Sequence, residues 1–292
     1  MNTVSSAQAI GPTERRRIRG PSALGGDSRR FFQLTMTLAL TDFKLKFFGS
    51  VLGYLWQLMR PLMLFGVLYV VFVQFVRLGG ESVPHYPALL LTGIVTYMFF
   101  ASATGGCVTA VMNREALVRK IEFPRLVIPL TVVLVAYFDL MLNFIAVFAL
   151  ILLNGVEPRW SWIELPFLLL ALGVMATGFG MLLSALYVRF RDVEPIWEVM
   201  LQVFFYASPI LYPIELVEER GGEDVVQAMM LNPLTAILQQ IRHAVIDPNA
   251  MSAAEAAGGW QWLLIPAALI VGLFALGFWV FNREAPRIAE EL

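Results

Sequence analysis

The sequence has few charged residues and very little cysteine, histidine or lysine. Only 15% of its 292 residues are charged and 58% are hydrophobic, whereas a soluble domain averages about 25% charged residues. A single cysteine, Cys107, excludes an intrachain disulfide, and His85 and His243 stand apart from any metal-ligand pattern. A net charge of −1 argues against nucleic-acid binding. The mean hydropathy of +0.71 instead indicates one polytopic membrane domain.

Several catalytic motifs are also missing. The phosphate-binding motif GxxxxGK[ST] does not occur, and none of the lysines, Lys44, Lys46 and Lys120, follows a glycine. Neither the HExxH zinc motif nor the GxSxG nucleophile elbow is present. We therefore predict a membrane protein that has no catalytic residue, metal or cofactor of its own and does not hydrolyse ATP by itself.

Long apolar runs predict an all-α membrane protein with six transmembrane helices. A bilayer core about 30 Å thick requires roughly 20 apolar residues in helical conformation. The predicted spans cover residues 51–76, 87–112, 126–153, 165–188, 196–214 and 259–281. The fifth span is short, and the stretch after it is interrupted by Asn232 and Pro233. We expect this region to form a re-entrant outer segment between helices five and six.

Positive charge is concentrated in alternate loops and in both terminal regions. This distribution predicts that the two termini lie in the cytoplasm. Residues 1–28 are rich in Ser, Gly, Pro and Arg, which predicts a disordered cytoplasmic N-terminus. Residues 29–48 alternate apolar and charged side chains, which predicts an amphipathic interfacial helix. The membrane domain would then cover 29–283, followed by a cytoplasmic tail at 284–292.

Four short segments carry a family resemblance. They are residues 45–62, residues 120–129, the stretch from Arg191-Asp192-Val193 to Tyr212, and Asn232-Pro233-Leu234 with the later Arg242. In this order and spacing, the chain resembles the permease subunits of type-2 ABC exporters. Within them it is most similar to the branch that exports polysaccharides and polyol phosphates, such as O-antigen, galactan, capsule and teichoic acid. The resemblance covers about residues 29–283.

The resemblance implies an assembly and a cargo. It implies a channel-forming subunit that pairs with a second copy of itself and with two copies of a cytoplasmic ATPase, which would bind ATP and magnesium. The cargo would be a polyprenyl-linked glycan or a teichoic-acid-like polymer, moved across the bacterial inner membrane. The alternatives are a type-2 permease for a drug or lipid, an enzyme acting on polyprenyl lipid, and an ion-coupled secondary transporter that uses Asp139.

Candidate functional residues fall into four groups. Aromatic rings stack on sugar faces, so the predicted channel lining is Tyr54, Trp56, Tyr69, Phe72, Tyr97, Phe100 and Tyr206. The cations predicted to receive the lipid phosphate are Arg30, Lys44, Lys46 and Arg60. The predicted ATPase-coupling helix contains Arg114, Glu115, Arg119, Lys120 and Glu122. The predicted outer gate contains Ser208, Pro209, Tyr212, Asn232 and Pro233.

Some of these residues have structural alternatives. Arg60 can snorkel to the membrane surface, and single aromatic rings can face lipid or a neighbouring helix. We expect Asp139 to bond to Asn143 or to a neighbouring helix. Asp192 is expected to pair with a nearby arginine or to cap the next helix. Glycines such as Gly173, Gly178 and Gly180 are predicted to allow helices to approach closely.

Overall fold

The computed structural model describes residues 28–48, 53–78, 83–115 and 124–291, and all regular structure in these ranges is helical. The disorder predicted for the N-terminus falls on residues outside the described ranges, apart from Ser28. The helices are α1 (Ser28–Phe47), α2 (Gly53–Val70), α3 (Tyr86–Ala110), α4 (Val127–Leu153), α5 (Glu164–Arg189), α6 (Val193–Ala207), α7 (Ile214–Gly221), α8 (Glu223–Met230), α9 (Pro233–Ile241), α10 (Ala253–Ala256) and α11 (Leu264–Glu291). π-Helical turns at Val71–Phe75 and Arg242–Ile246 extend α2 and α9.

Five stretches of the described chain are long and apolar enough to cross a membrane. They are Leu55–Phe75, Tyr86–Ala110, Val127–Leu153, Trp160–Arg189 and Trp260–Glu284. These helices coincide with the first four predicted spans and the last one. The predicted fifth span, 196–214, corresponds to α6, which has only 15 residues because the backbone becomes extended at Ser208, before Pro209. A sixth crossing through α6 stays a prediction.

α3 lies at the centre of the helix bundle. It packs against α2, α4, α5 and α6. In the most apolar stretch of α3, 78% of the residues are buried. The corresponding shares in α2 and α11 are 6% and 11%. α2 and α11 are therefore peripheral helices whose apolar surfaces are left for lipid or for another chain.

Glycines on α5 bring neighbouring helices into close contact. Gly173 lies directly beneath the Tyr137 hydroxyl of α4, and the backbone of α11 at Phe274 crosses over Gly178. Gly180 faces the buried sulfur of Cys107 on α3. A side chain at any of these positions would collide with its neighbour, so the predicted role of these glycines in helix packing is confirmed.

α1 packs lengthwise along α4. Leu34 and Leu38 contact the apolar cluster that contains Val127 and Ile128, at the beginning of α4. Further along α1, Phe43 contacts the ring of Phe138, with ring centroids 5.4 Å apart. A helix is therefore observed at Ser28–Phe47, within one residue of the predicted range 29–48, while its amphipathic character and its position at the membrane surface stay predictions.

The two ends of the bundle differ in character. The basic end is the one that carries Arg114, Arg125, Arg189 and Arg191, at the C-terminal ends of α3 and α5 and at the beginning of α4. The opposite end is covered by α7 to α10, which we call the cap. The cap has its own apolar core, formed by Ile214, Val226, Met230, Ala236, Ala253, Ala256 and Ala257. It occupies the predicted re-entrant region, although its depth in the membrane stays a prediction.

Candidate functional site: a gate, an aromatic cluster and a basic end

The residues predicted to form the gate meet where α6 ends and α9 begins. The Asn232 side-chain oxygen accepts a hydrogen bond from the backbone nitrogen of Leu234 at 3.1 Å, so Asn232 caps the beginning of α9. The Asn232 amide nitrogen lies 3.5 Å from the hydroxyl of Ser208, which is fully buried. Pro233 occupies the first turn of α9, where its missing N–H leaves no helical hydrogen bond broken.

The loop between α6 and α7 is inserted against α3. Tyr86 of α3 donates a hydrogen bond to the carbonyl of Leu211 at 2.9 Å, and Tyr212 donates to the carbonyl of Tyr206 at 2.9 Å. Ile210 is fully buried against Gly93, where a Cβ atom would approach Ile210 to 3.2 Å. Irregular backbone at membrane depth has to be covered by protein or water, and α3 provides this cover.

A charged pair fastens the cap internally. The Arg242 guanidinium bonds to a Glu215 carboxylate oxygen at 2.5 Å, and the other carboxylate oxygen accepts from the backbone nitrogen of Met251 at 3.3 Å. Gln239 donates to the carbonyl of Met251 at 2.6 Å. Arg242 was recognised in the sequence only as part of a motif. No local signal identified Glu215, 27 residues earlier, as its partner.

The cap is also tied to α5. Gln240 donates to the carboxylate of Glu164 at 2.7 Å and accepts from the backbone nitrogen of Ala253 at 3.0 Å. Ser161, just before α5, donates to the carbonyl of Ala244 at 2.5 Å. The bonds from Gln240 and Ser161 connect α9 and the π-helical turn after it to the beginning of α5.

Phe100 is the centre of an aromatic cluster between α3, α5 and α6. Its side chain is 1% exposed, and its ring centroid lies 5.8 Å from Phe179, 6.3 Å from Trp197 and 5.9 Å from Phe204. The Trp197 ring nitrogen donates to the hydroxyl of Thr104 at 3.1 Å. Nearby, Tyr97 donates to the carbonyl of Leu201 and is also buried. Within one protomer, Phe100 and Tyr97 therefore form packing contacts rather than an open surface.

The other predicted channel aromatics lie at the periphery. Trp56 on α2 is 63% exposed, and Tyr206 at the end of α6 is also exposed. Tyr69 stacks on Phe65 with a centroid separation of 5.6 Å, and Phe72 lies half-buried beyond it. The side chain of Tyr54 lies outside the described part. The described aromatics therefore comprise a buried pair (Tyr97 and Phe100), a half-buried pair (Tyr69 and Phe72) and two exposed rings, Trp56 on α2 and Tyr206 on α6.

The cations predicted to receive the lipid phosphate are in different environments. Arg30, Lys44 and Arg60 are exposed. Lys46 bonds to the carboxylate of Asp139 at 2.6 Å. Asp139 is thus held by a neighbouring helix, which is one of the two partners expected from the sequence, while Asn143 is not bonded to it.

The predicted coupling helix is described only at its beginning. Arg114 forms an ion pair with Asp42 of α1, in a short turn that follows α3. Glu115 is the last described residue before the gap, and Arg119, Lys120 and Glu122 lie outside the described residues. At the next inner loop, Asp192 occupies the capping position of α6, but its side chain makes no capping hydrogen bond. The cap predicted for Asp192 is therefore not formed, and its side chain is exposed to solvent.

Among the described residues, no three histidine, cysteine or acidic side chains lie together in a metal-binding arrangement. The conspicuous features are instead the buried loop between α6 and α7, the aromatic cluster and the basic end. This combination offers positions for binding and movement within a membrane bundle.

Comparisons with known proteins agree with this architecture. The sequence profile of the ABC-2 type transporter family matches residues 33–246. The chain is 25% identical to the O-antigen export system permease protein RfbA of Myxococcus xanthus, over 89% of this chain and 95% of the relative. It is 26% identical to RfbA of Klebsiella pneumoniae with the same coverage, and 22% identical to the polysialic acid transport protein KpsM of Escherichia coli over 72% and 80% of the two chains. Because the profile spans most of the sequence, the chain belongs to the ABC-2 type transporter family.

Proposed function

We propose that this chain is the channel-forming permease subunit of an ATP-driven exporter of a lipid-linked polysaccharide. The observation that carries the proposal is the alignment with O-antigen export permeases over 95% of their length. The chain lacks a phosphate-binding loop, so the energy for transport must come from a separate ATPase subunit. Two such subunits, with bound ATP and magnesium, would complete the transporter.

A second copy of the chain would complete the channel. The exposed face of α2 carries Trp56, whereas Tyr69 and Phe72, further along the same helix and its π-helical extension, are half-buried and pack against the core. A ring on a face left open by one protomer can line a passage between two protomers, and its flat face suits the C–H surfaces of sugars. The buried Phe100 and Tyr97 would support this wall from behind by holding α6 against α3.

The gate and the basic end would act at opposite sides of the membrane. The distribution of positive charge supports a cytoplasmic basic end and an outer cap in the inner membrane of a bacterium. Ser208, Pro209, Tyr212, Asn232 and Pro233 would close the outer exit, and residues 114–122 would contact the ATPase. Movement driven by ATP would reach the exit through α5 and α6, which both contact the cap or its connecting loop.

The charge of the cap favours a polymer that is not strongly acidic. Over residues 214–258 the sequence carries seven acidic residues, Glu215, Glu218, Glu219, Glu223, Asp224, Asp247 and Glu255, and two arginines, Arg220 and Arg242. A polyanionic chain that leaves beside this surface would be repelled. A neutral, O-antigen-like glycan would not, so it is the preferred cargo over a teichoic-acid-like polymer. A drug or membrane lipid is the second candidate within the same family.

The proposal is tested by isolation of the complex and by deletion in the native host. Mild-detergent purification should yield a stoichiometric ATPase that carries GxxxxGK[ST]. Deletion of the chain should leave a lipid-linked glycan inside the cell, and re-expression should restore its export. Absence of an ATPase under conditions that preserve other transporter complexes, or normal surface glycan in the deletion strain, would contradict the proposal.

A further inference from the structure

We infer that the basic end contains a phosphate-binding site formed by Arg125 and Arg114, at the N-terminus of α4. The identification of the ligand as the phosphate of a polyprenyl-linked substrate rests on the proposed function. The phosphate chemistry itself rests on the structure alone.

Arg125 is a buried cation that has no partner among the described residues. Its side chain is 5% exposed, and the nitrogen Nη1 is buried without a hydrogen bond. It forms no ion pair with a described carboxylate. Burial lowers the pKa of the Arg125 guanidinium, but arginine keeps its proton in proteins. A buried charge that has no counter-ion is costly, so this position calls for an anion.

The helix that follows Arg125 also favours an anion at this position. α4 begins two residues later and continues for 27 residues, and its capping residue, Leu126, has no side-chain acceptor. The N-terminus of a long helix carries a partial positive charge that favours anions and disfavours cations. Arg125 and the α4 dipole therefore repel each other, and one bound anion would satisfy both.

Arg114 lies at the same end of the bundle, and we assign it as the second donor of the site. α3 and α4 run side by side here, because the sulfur of Cys107 lies 3.5 Å from the carbonyl of Pro129 and the residues just before Arg114 share an apolar cluster with Leu126. One terminal nitrogen of Arg114 binds Asp42, but the other is buried without a partner. Two guanidinium groups with free N–H donors match the several oxygen atoms of a phosphate.

The surroundings favour a phosphate that is carried on a lipid. The membrane-length part of α4 starts at Val127, two residues from Arg125, so the site lies at the depth of lipid headgroups. The residues that follow Arg125, Leu126 to Ile128, belong to an apolar cluster against which Phe31 and Leu34 of α1 pack. A free anion in water would have little access to such a position, whereas a headgroup or a polyprenyl phosphate arrives with its own apolar chain.

The test measures retention of lipid by the purified full chain in complex with its ATPase. Native mass spectrometry would compare undecaprenyl phosphate with undecaprenol, and dioleoyl phosphatidic acid with dioleoylglycerol. The variants are Arg125→Gln, Arg125→Lys as a charge-retaining variant, and Arg191→Gln as a control at an exposed arginine of the same end. We expect Arg125→Gln to weaken phosphate-lipid binding by at least about ten-fold, as loss of a charge-assisted hydrogen bond predicts, and Arg191→Gln to leave it unchanged.

The outcomes separate the possible ligands. A loss confined to undecaprenyl phosphate assigns the site to the substrate, and an equal loss for phosphatidic acid assigns it to headgroups in general. Unchanged phosphate-lipid binding in Arg125→Gln overturns the inference, as does loss of the ATPase with lipid retained, since Arg125 would then serve a protein carboxylate. If Arg125→Gln does not fold, Arg114→Gln and Arg125→Lys give the same comparison. Lipid binding is measured without transport, so its failure is distinct from failure of the proposed function.

Discussion

Lys46 and Asp139 are 93 residues apart in the sequence, yet their charged atoms meet at 2.6 Å and join the end of α1 to the middle of α4. The Asp139 side chain is nearly buried, with 10% of its surface exposed, whereas 41% of the Lys46 side chain is exposed. The second carboxylate oxygen of Asp139 has no hydrogen-bond partner. Together with the ion pair between Asp42 and Arg114, this pair therefore holds α1 against the bundle.

We predict that Lys46→Ala destabilises the protein by roughly 1.5–3 kcal/mol, the value of a hydrogen bond to a charged group, because the carboxylate of Asp139 would be left unpaired. Adding Asp139→Asn to this variant should recover part of the loss. Thermal unfolding of the two single variants and the double variant in detergent measures the coupling. Purely additive effects would show that the pair does not stabilise α1, and would leave Lys46 free for the predicted contact with lipid phosphate.

The buried and exposed aromatics should respond differently to truncation. Phe100→Ala should destabilise the protein by about 3–5 kcal/mol, because it opens a cavity between α3, α5 and α6. Trp56→Ala should leave unfolding unchanged but reduce glycan export, since Trp56 is exposed and is proposed to line the channel. The comparison needs unfolding and export measured for both variants at equal membrane expression. Normal export by Trp56→Ala would show that Trp56 does not line the channel.

Two glycines of α11 provide a matched pair. A Cβ atom at Gly277 would collide with the carbonyl of Gly178 on α5, whereas nothing lies within 4 Å of a Cβ atom at Gly272. Gly277→Ala should therefore separate the helices and cost about 1–3 kcal/mol. Gly272→Ala should be neutral or stabilising by up to about 1 kcal/mol, because alanine favours helix. Equal unfolding temperatures for the two variants would contradict the close packing of α5 and α11.

Asn232 makes two separable contacts in the predicted gate, one that caps α9 and one with Ser208. Asn232→Asp keeps the oxygen that caps α9 but loses the amide donor directed at Ser208. Asn232→Ala loses both, and we expect it to cost about 0.5–2 kcal/mol. If the contact with Ser208 controls the exit, Asn232→Asp should keep near-normal stability while altering export. If export falls only in proportion to the loss of stability in the two variants, Asn232 acts as a capping residue and not in control of the exit.

The orientation of the bundle can be tested with an introduced cysteine. Cys107 is fully buried, so the chain offers little background labelling. Asn249→Cys places an exposed thiol in the cap, and a membrane-impermeant maleimide should label it in intact spheroplasts. Arg191→Cys at the basic end should react only after the membrane is opened. The reverse pattern would contradict the orientation predicted from the distribution of positive charge.

The long helices were predictable because hydrophobic length is a local property of the sequence. The stretch 126–153, for example, differs by one residue from α4 as observed at Val127–Leu153. The cap of α9 by Asn232 was also predictable, since asparagine before proline is a local helix-start signal. These features depend on residues within one or two helical turns of one another.

Features that depend on distant residues were not predictable. The partner of Arg242 is Glu215, and the partner of Trp197 is Thr104, which lies 93 residues away. The same limit applies to Phe100, because amphipathic periodicity does not distinguish a ring that faces a channel from one that is enclosed by three helices. Arg125 lies in the motif at 120–129, but nothing local in the sequence indicates that its side chain is buried.

The short length of α6 has a consequence for the passage of a hydrophilic polymer. Its 15 residues extend about 22 Å at the usual helical rise, less than the hydrocarbon thickness of about 30 Å. If α6 crosses the membrane as predicted, the folded-in loop from Ser208 to Pro213, whose backbone carries polar groups, would fill the remaining depth beside it. A sugar chain that follows α6 would then travel through a dehydrated zone shorter than the bilayer, and hydration would be regained before the chain reaches the outer surface.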